Sequence, residues 1–142
     1  MHCRDIMTRP VRSIRDTEGV IAAARLMEKE NIGFVPVCAE PGRVVGILTD
    51  RDIALRLVAA GRDAAKTQVS EVMTREVISC RTTDEVQEAS RLMARTKKSR
   101  LLVIGPEGKP EGVISLADLA RIEEPSVART IREVASREIH LA

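Results

Sequence analysis

The chain repeats itself. Shifted by 66 positions, Met7-Thr8-Arg9 falls on Met73-Thr74-Arg75, and Ala23, Arg25, Leu26 and Met27 fall on Ala89, Arg91, Leu92 and Met93. Gly42, Gly46 and Asp52 then fall on Gly108, Gly112 and Asp118, with no gap needed from Asp5 to Ala54. A duplication in one continuous register constrains the fold: whatever the first copy builds, the second builds again. Each copy is too short to hide its apolar faces alone, so the two are expected to pack together. Both copies end in Gly, two apolar residues, Ser or Thr, two further residues and Asp, which predicts two like half-sites.

Within each copy the pattern reads β-α-β-β-α. One helical turn over residues 5–8 or 71–74 leads into a short extended segment, 11–14 or 77–80. A helix start follows, marked by the capping-box spacing of Thr82 and Glu85 and by Asp16-Thr17-Glu18 in the equivalent place. Val20, Ala23, Ala24 and Met27 recur at helical spacing, mirrored by Val86, Ala89, Ser90 and Met93. Apolar runs at 34–37 and 101–104 read as buried strands. Gly-containing turns connect them to second strands at 44–48 and 111–114, most simply as hairpins. Helices over 50–60 and 116–122 close the copies. The expected organisation is repeat one over 1–62, a linker over 63–69, repeat two over 70–124 and a C-terminal helix over 125–142. That last helix carries Val127, Ile131, Val134 and Ala135 on one face and is expected to cover the module or a partner subunit.

Composition narrows the chemistry. Hydrophobic residues make up 44% of the 142 and charged ones 31%, which is globular, yet Phe34 is the only Phe, Tyr or Trp. Packing therefore falls to aliphatic residues and methionine, and no aromatic platform exists for stacking bases or sugars. The formal net charge of +2 and the interleaving of acids with bases argue against a nucleic-acid binder. The run Lys97-Lys98-Ser99-Arg100 reads as a solvated face or a phosphate contact. Cys3, Cys38 and Cys80 lack metal or redox spacing and fit a reducing cytosol, with Cys38 a core residue. No secretory leader or membrane span is apparent, so the expected location is cytoplasmic. His2 and His140 both lie near chain ends, so neither a histidine base nor a metal site is expected, and no catalytic residues are assigned.

The chemistry, if any, lies in Gly46-Ile47-Leu48-Thr49-Asp50-Arg51-Asp52 and Gly112-Val113-Ile114-Ser115-Leu116-Ala117-Asp118. Each sets a hydroxyl and a carboxylate three residues apart where a strand becomes a helix. Two readings stand. One is a helix cap, in which Asp52 or Asp118 reaches back to the N–H of Thr49 or Ser115. The other is a nucleotide site, in which helix N–H groups meet phosphate, the carboxylate accepts ribose hydroxyls, and Gly46 and Gly112 let the backbone approach a ligand.

With these endings, the Met-Thr segments and the apolar-Pro-Val strand Val35-Pro36-Val37, the chain resembles a tandem pair of cystathionine-β-synthase (CBS) domains, a Bateman module. The resemblance spans Arg4 to Ile122, and the Leu-Thr-Asp-Arg-Asp-Ile string at 48–53 is similar to small stand-alone bacterial CBS-pair proteins. It implies an α/β (α+β) fold of two repeats packed through their sheets about a pseudo-two-fold, plus the C-terminal helix. It also implies a regulatory, non-enzymatic module that requires no cofactor, binds adenosine compounds (AMP, ADP, ATP or S-adenosylmethionine) and signals to a separate protein, as a homodimer.

In the family, each Ser/Thr and Asp works with the first strand and the apolar-Pro strand of the other repeat. Carried over, Thr49, Asp50, Arg51 and Asp52 share a site with Val77, Ile78, Ser79, Arg100 and Leu101. Ser115 and Asp118 share another with Val11, Arg12, Ser13, Phe34, Val35 and Pro36. Arg100 gives the first site a phosphate partner. The second has Phe34 at that position and is expected to be weaker. Repeat two departs from the family in having Leu102 for the strand proline. The rival readings are a ligand-free docking protein and, behind it, a nucleic-acid-binding module.

Overall fold

A computed structural model describes residues 1–122 and 125–141. Glu123, Glu124 and Ala142, which fall at the ends of the expected second repeat and C-terminal helix, lie outside the described residues. The elements run α1 (Cys3–Ile6), β1 (Ile14–Arg15), α2 (Val20–Glu30), β2 (Phe34–Ala39), β3 (Arg43–Thr49), α3 (Asp50–Asp52), α4 (Val69–Val72), β4 (Ser79–Arg81), α5 (Val86–Thr96), β5 (Arg100–Ile104), β6 (Pro110–Ser115), α6 (Leu116–Ala120) and α7 (Pro125–Leu141). The helix expected over 50–60 is only α-helical at α3. It continues as a π-helical stretch, Ile53–Val58, and a 3-10 turn, Ala64–Lys66, follows.

The two long helices form for the reason their periodicity gives. Val20, Ala23 and Met27 are buried on α2, and Val86, Ala89, Ser90 and Met93 on α5. Their starts differ from the expected caps. The first helical residues are Val20 and Val86, after Gly19 and Glu85, and neither cap position makes a side-chain cap bond. The helix therefore starts beyond the reach expected of Thr82. The acids instead close the turn after each first strand: Arg15 N–H donates to Glu18 Oε2 at 2.9 Å and Arg81 N–H to Asp84 Oδ2 at 2.8 Å. Backbone carbonyls from distant segments serve the helix starts, Val20 N–H donating to Thr67 at 2.9 Å and Val86 N–H to Met1 at 3.0 Å. Those bonds satisfy donors that a helix leaves open.

In space the chain divides into two units. One comprises Val11–Val77 with Glu107–Pro110; the other comprises Met1–Pro10, Ile78–Pro106 and the chain from Glu111 onward. In the first, β1 pairs parallel with β2 (Ile14↔Val37) and β2 antiparallel with β3 (Phe34↔Thr49 to Ala39↔Arg43), with a bulge at Val37/Cys38. In the second, β4 pairs parallel with β5 (Ser79↔Leu102) in a sheet ordered β4-β5-β6.

Each unit also contains the Met-Thr segment of the other sequence copy. Thr74 pairs with Ile47 on β3 through bonds of 2.9 and 2.8 Å, and Thr8 with Val113 on β6 through bonds of 2.8 and 3.1 Å. The short helices α1 and α4 therefore stop before the Met-Thr residues, two positions earlier than the pattern suggested. Met7 and Met73 are already extended. Every unit has one aliphatic core, around Val35, Val37 and Leu48 in one and Leu101, Val103 and Ile114 in the other.

Helix α7 covers part of its own module. It packs on α5 and α6, with Val127 and Val134 buried. At its centre the hydroxyls of Ser90 and Thr130 lie 2.6 Å apart, both buried, and the Thr130 hydroxyl also reaches the Ser90 carbonyl at 3.3 Å. The counterpart of Ser90 in the first copy is Ala24, which is exposed. Ser90 thus marks the face that α7 covers. Thr130→Val keeps the shape and removes the hydroxyl, so it is expected to cost about 1–2 kcal/mol. Urea unfolding measures this, and an unchanged midpoint would show that the hydroxyl pair contributes nothing.

Candidate ligand-binding site

Both strand-to-helix junctions form reciprocal caps. Thr49 N–H donates to Asp52 Oδ2 at 3.0 Å and Asp52 N–H to Thr49 Oγ1 at 3.1 Å. Ser115 N–H donates to Asp118 Oδ2 at 2.8 Å and Asp118 N–H to Ser115 Oγ at 3.2 Å. The capping reading is therefore correct for both motifs. It leaves the second carboxylate oxygen of each Asp for other work, since a carboxylate offers about four acceptor positions.

The two carboxylates differ in what else holds them. Asp52 accepts from the Thr74 hydroxyl at 3.1 and 3.3 Å, and Arg56 Nε lies 3.8 Å away. Arg56 is itself anchored on the Met73 carbonyl at 2.9 Å. Asp118 has Arg121 at 3.7 Å, and no bond from Thr8, the counterpart of Thr74, reaches it among the described residues. Asp52 is thus oriented by three groups of its own unit and Asp118 by fewer. Thr74 was not among the expected site residues, although its recurrence in both Met-Thr segments was a signal.

The glycines carry a correction. Gly46 and Gly112 do not open the backbone to a ligand. A Cβ on Gly46 would stand 2.7 Å from Met73 Sδ and 2.9 Å from the Thr74 carbonyl, and one on Gly112 would run into Met7. They make room for the Met-Thr segments. Gly33 is crowded in the same way. Asp50 N–H donates to its carbonyl at 3.1 Å, and the Asp50 carboxylate lies over its Cα, 2.6 Å from where a Cβ would stand.

The remaining expected residues are placed as follows. Arg51 is exposed on α3; Val77 and Ile78 are half-buried before β4, and Ser79 opens that strand. Arg100 is exposed at the start of β5, but the Leu101 side chain is wholly buried in the core, so only its backbone can face a ligand. Phe34 is half-buried at the start of β2, and Val35 and Pro36 are buried. Val11 is half-buried and Ser13 exposed, whereas Arg12 pairs with Glu30 at 3.6 Å. Lys97 and Lys98 form the turn after α5, Lys97 in a left-handed conformation and Lys98 N–H bonded to the Met93 carbonyl at 3.2 Å. Cations there complement the helix C-terminus. Among the described residues no group of three or more His, Cys, Asp or Glu is gathered as a metal would need, and no helix is long and apolar enough to cross a membrane.

Two units of like topology, each ending a hairpin in a capped Ser/Thr-x-x-Asp, define a duplicated α/β module. The family model described as the CBS domain matches residues 3–59 and 69–124. The chain belongs to the CBS domain family.

It is 37% identical to the CBS domain-containing protein YhcV of Bacillus subtilis, over 96% of this chain and 97% of that one. A crystal structure of Hypoxic Response Protein I, a protein of Mycobacterium tuberculosis, is 32% identical with a TM-score of 0.77, covering 85% of this chain and 98% of that one. That structure holds two coordinated zinc ions. The CBS domain pair of protein MJ0100, solved with 5′-methylthioadenosine and S-adenosyl-L-methionine, is 27% identical with a TM-score of 0.73 and covers 85% of this chain and 94% of that one.

Proposed function

We propose that this chain is a regulatory module that binds an adenosine compound and signals by conformational change to a separate protein. Binding and signalling, not catalysis, is its role. The observation that carries the reading is the state of the Asp52 and Asp118 carboxylates. Each spends one oxygen on its own cap, and the other keeps a lone pair beyond the Thr74 hydroxyl and Arg56 at Asp52, or beyond Arg121 at Asp118. A pair of adjacent ribose hydroxyls is the donor set that such a carboxylate takes. The adenosine compounds bound by the MJ0100 pair support the ligand class.

The residue pairing implied by the family resemblance is part of the proposal. Thr49, Asp50, Arg51 and Asp52 act with Val77, Ile78, Ser79, Arg100 and the Leu101 backbone. Ser115 and Asp118 act with Val11, Arg12, Ser13, Phe34, Val35 and Pro36. The module works as a homodimer. Ile21, Leu55 and Val58, all exposed on the β1–β3 unit, supply apolar surface for association. The same surface favours the second reading, a docking protein whose output needs no ligand.

Thermal melting against AMP, ADP, ATP, S-adenosylmethionine and 5′-methylthioadenosine separates the two. A ligand at a hundred-fold excess over its Kd stabilises by about 2.7 kcal/mol, a rise of several degrees. At least one compound is expected to give that rise. A panel without any shift at millimolar concentration would leave the docking reading standing.

A further inference from the structure

The first residues of the chain run beside the turn that follows β4. His2 bridges to Glu85, Cys3 N–H donates to the Asp84 carbonyl at 2.8 Å, and Arg4 N–H donates to the Thr82 carbonyl at 3.1 Å. This places Cys3 against Cys80. Both are buried, 0% and 6% exposed, and both belong to the same apolar cluster. The Cys3 thiol donates to the Glu85 carbonyl at 3.9 Å, and the neighbouring Cys80 side chain holds it below the usual thiol range despite its burial and the carboxylates of Asp84, Glu85 and Glu88. The Cys3 side chain, with burial, pushes the Cys80 thiol up.

Packing alone does not call for these residues. The duplication supplies a comparison: the counterparts of Cys3 and Cys80 are Val69 and Ile14, which fill the equivalent place in the core of the other unit. Aliphatic side chains are therefore sufficient there. Cys38 is the internal control. It is buried in the other unit beside the Ser13 side chain, not a thiol. A cleft of about 260 Å³ reaches Cys80 but not Cys3, and is lined by Ser79, Cys80, Asp84, Glu88, Arg91 and Arg95 among others. It is large enough for a small polar oxidant to reach Cys80.

We propose that Cys3 and Cys80 are a redox-responsive thiol pair that hydrogen peroxide converts to a disulfide. The pair gives up one proton, the resulting thiolate attacks one peroxide oxygen, the O–O bond breaks, and the departing hydroxide takes up that proton as water. The other sulfur of the pair then attacks the sulfenic acid so formed. The S–O bond breaks, the S–S bond forms, and the hydroxyl leaves as water with the proton of the second thiol. In sum, two thiols and one peroxide give one disulfide and two waters. The bond ties the Met-Thr segment of the first copy to the first strand of the second. It fixes in place the Thr8–Val113 pairing next to the Ser115/Asp118 junction.

The test treats the reduced full chain with hydrogen peroxide, then counts thiols after unfolding and maps peptides without reduction. Two of the three thiols are expected to disappear, in a cross-linked Cys3–Cys80 peptide that dithiothreitol releases, and the oxidised chain is expected to melt several degrees higher. Cys38→Ser should behave like the parent chain. Cys3→Val and Cys80→Ile, which copy the other unit and so retain a packed core, should each abolish the cross-link. Cys3 and Cys80 still alkylatable at peroxide doses that consume Cys38 would overturn the proposal. So would a cross-link between chains, or conversion of the pair to sulfinic acids without a disulfide.

Discussion

Gly46→Val is expected to lower the melting temperature by roughly 10 °C, a loss of about 3 kcal/mol. The new side chain would begin 2.7 Å from Met73 Sδ and 2.9 Å from the Thr74 carbonyl. The sulfur ends a flexible chain and can swing aside. The carbonyl cannot, because it accepts the Ile47 N–H at 2.9 Å while Thr74 N–H donates back at 2.8 Å. Valine therefore displaces the Met-Thr segment from the edge of β3 and removes two backbone bonds worth about 1 kcal/mol each.

Met73→Ala opens a cavity and costs about 2–4 kcal/mol alone. The double variant should fall short of the sum of the two losses by about 1 kcal/mol, since the vacated space accepts part of the valine. Differential scanning calorimetry of the four proteins decides it. A Gly46→Val protein melting within about 2 °C of the parent would show that this close approach is not a constraint.

That glycine shows where sequence reading succeeds and where it stops. The 66-residue register revealed the duplication, and the apolar spacing of Val20, Ala23 and Met27 located the buried face of α2. Both rest on local patterns, which neighbours along the chain determine. Which copy receives each Met-Thr segment is not local. Self-similarity makes Thr8 and Thr74 equivalent and is silent on whether each pairs within its own copy. The glycines looked like room for a ligand because the methionines filling that room come from the other copy.

The helix starts misled for a related reason. Thr82 and Glu85 have capping-box spacing, but carbonyls of Met1 and Thr67, far away in sequence, meet the first helical N–H groups. At the site, the reciprocal Thr49/Asp52 cap was legible from spacing three. The Thr74 hydroxyl on Asp52 was not, being 22 residues away. The Cys3–Cys80 pair was hidden in the same way, because cysteine spacing reveals only partners that are near in sequence.

Asp52→Asn is expected to weaken binding of the proposed adenosine ligand about 30-fold, and Asp118→Asn no more than about threefold. Asparagine preserves one side-chain oxygen, so the cap to Thr49 or Ser115 can persist and the fold with it. What is lost is the charge and the second acceptor, which is one charge-assisted hydrogen bond of about 2 kcal/mol. The difference between the sites follows from preorganisation. Thr74 and Arg56 already hold the Asp52 carboxylate, so little side-chain freedom remains to be lost when a ribose arrives. Asp118 lacks the threonine contact and leans on Arg121, whose own side chain is 79% exposed.

Arg100 adds a second, independent discrimination. As an exposed cation at the start of β5, it is proposed to meet phosphate at the Asp52 site. Arg100→Ala should then weaken AMP by about tenfold and leave 5′-methylthioadenosine, which has no phosphate, unchanged. Isothermal titration of the three variants against both compounds separates ribose recognition from phosphate recognition. Equal losses in the two Asp variants would abolish the distinction between the sites. Equal losses of both compounds in Arg100→Ala would remove that residue from phosphate binding while leaving the carboxylate assignment intact.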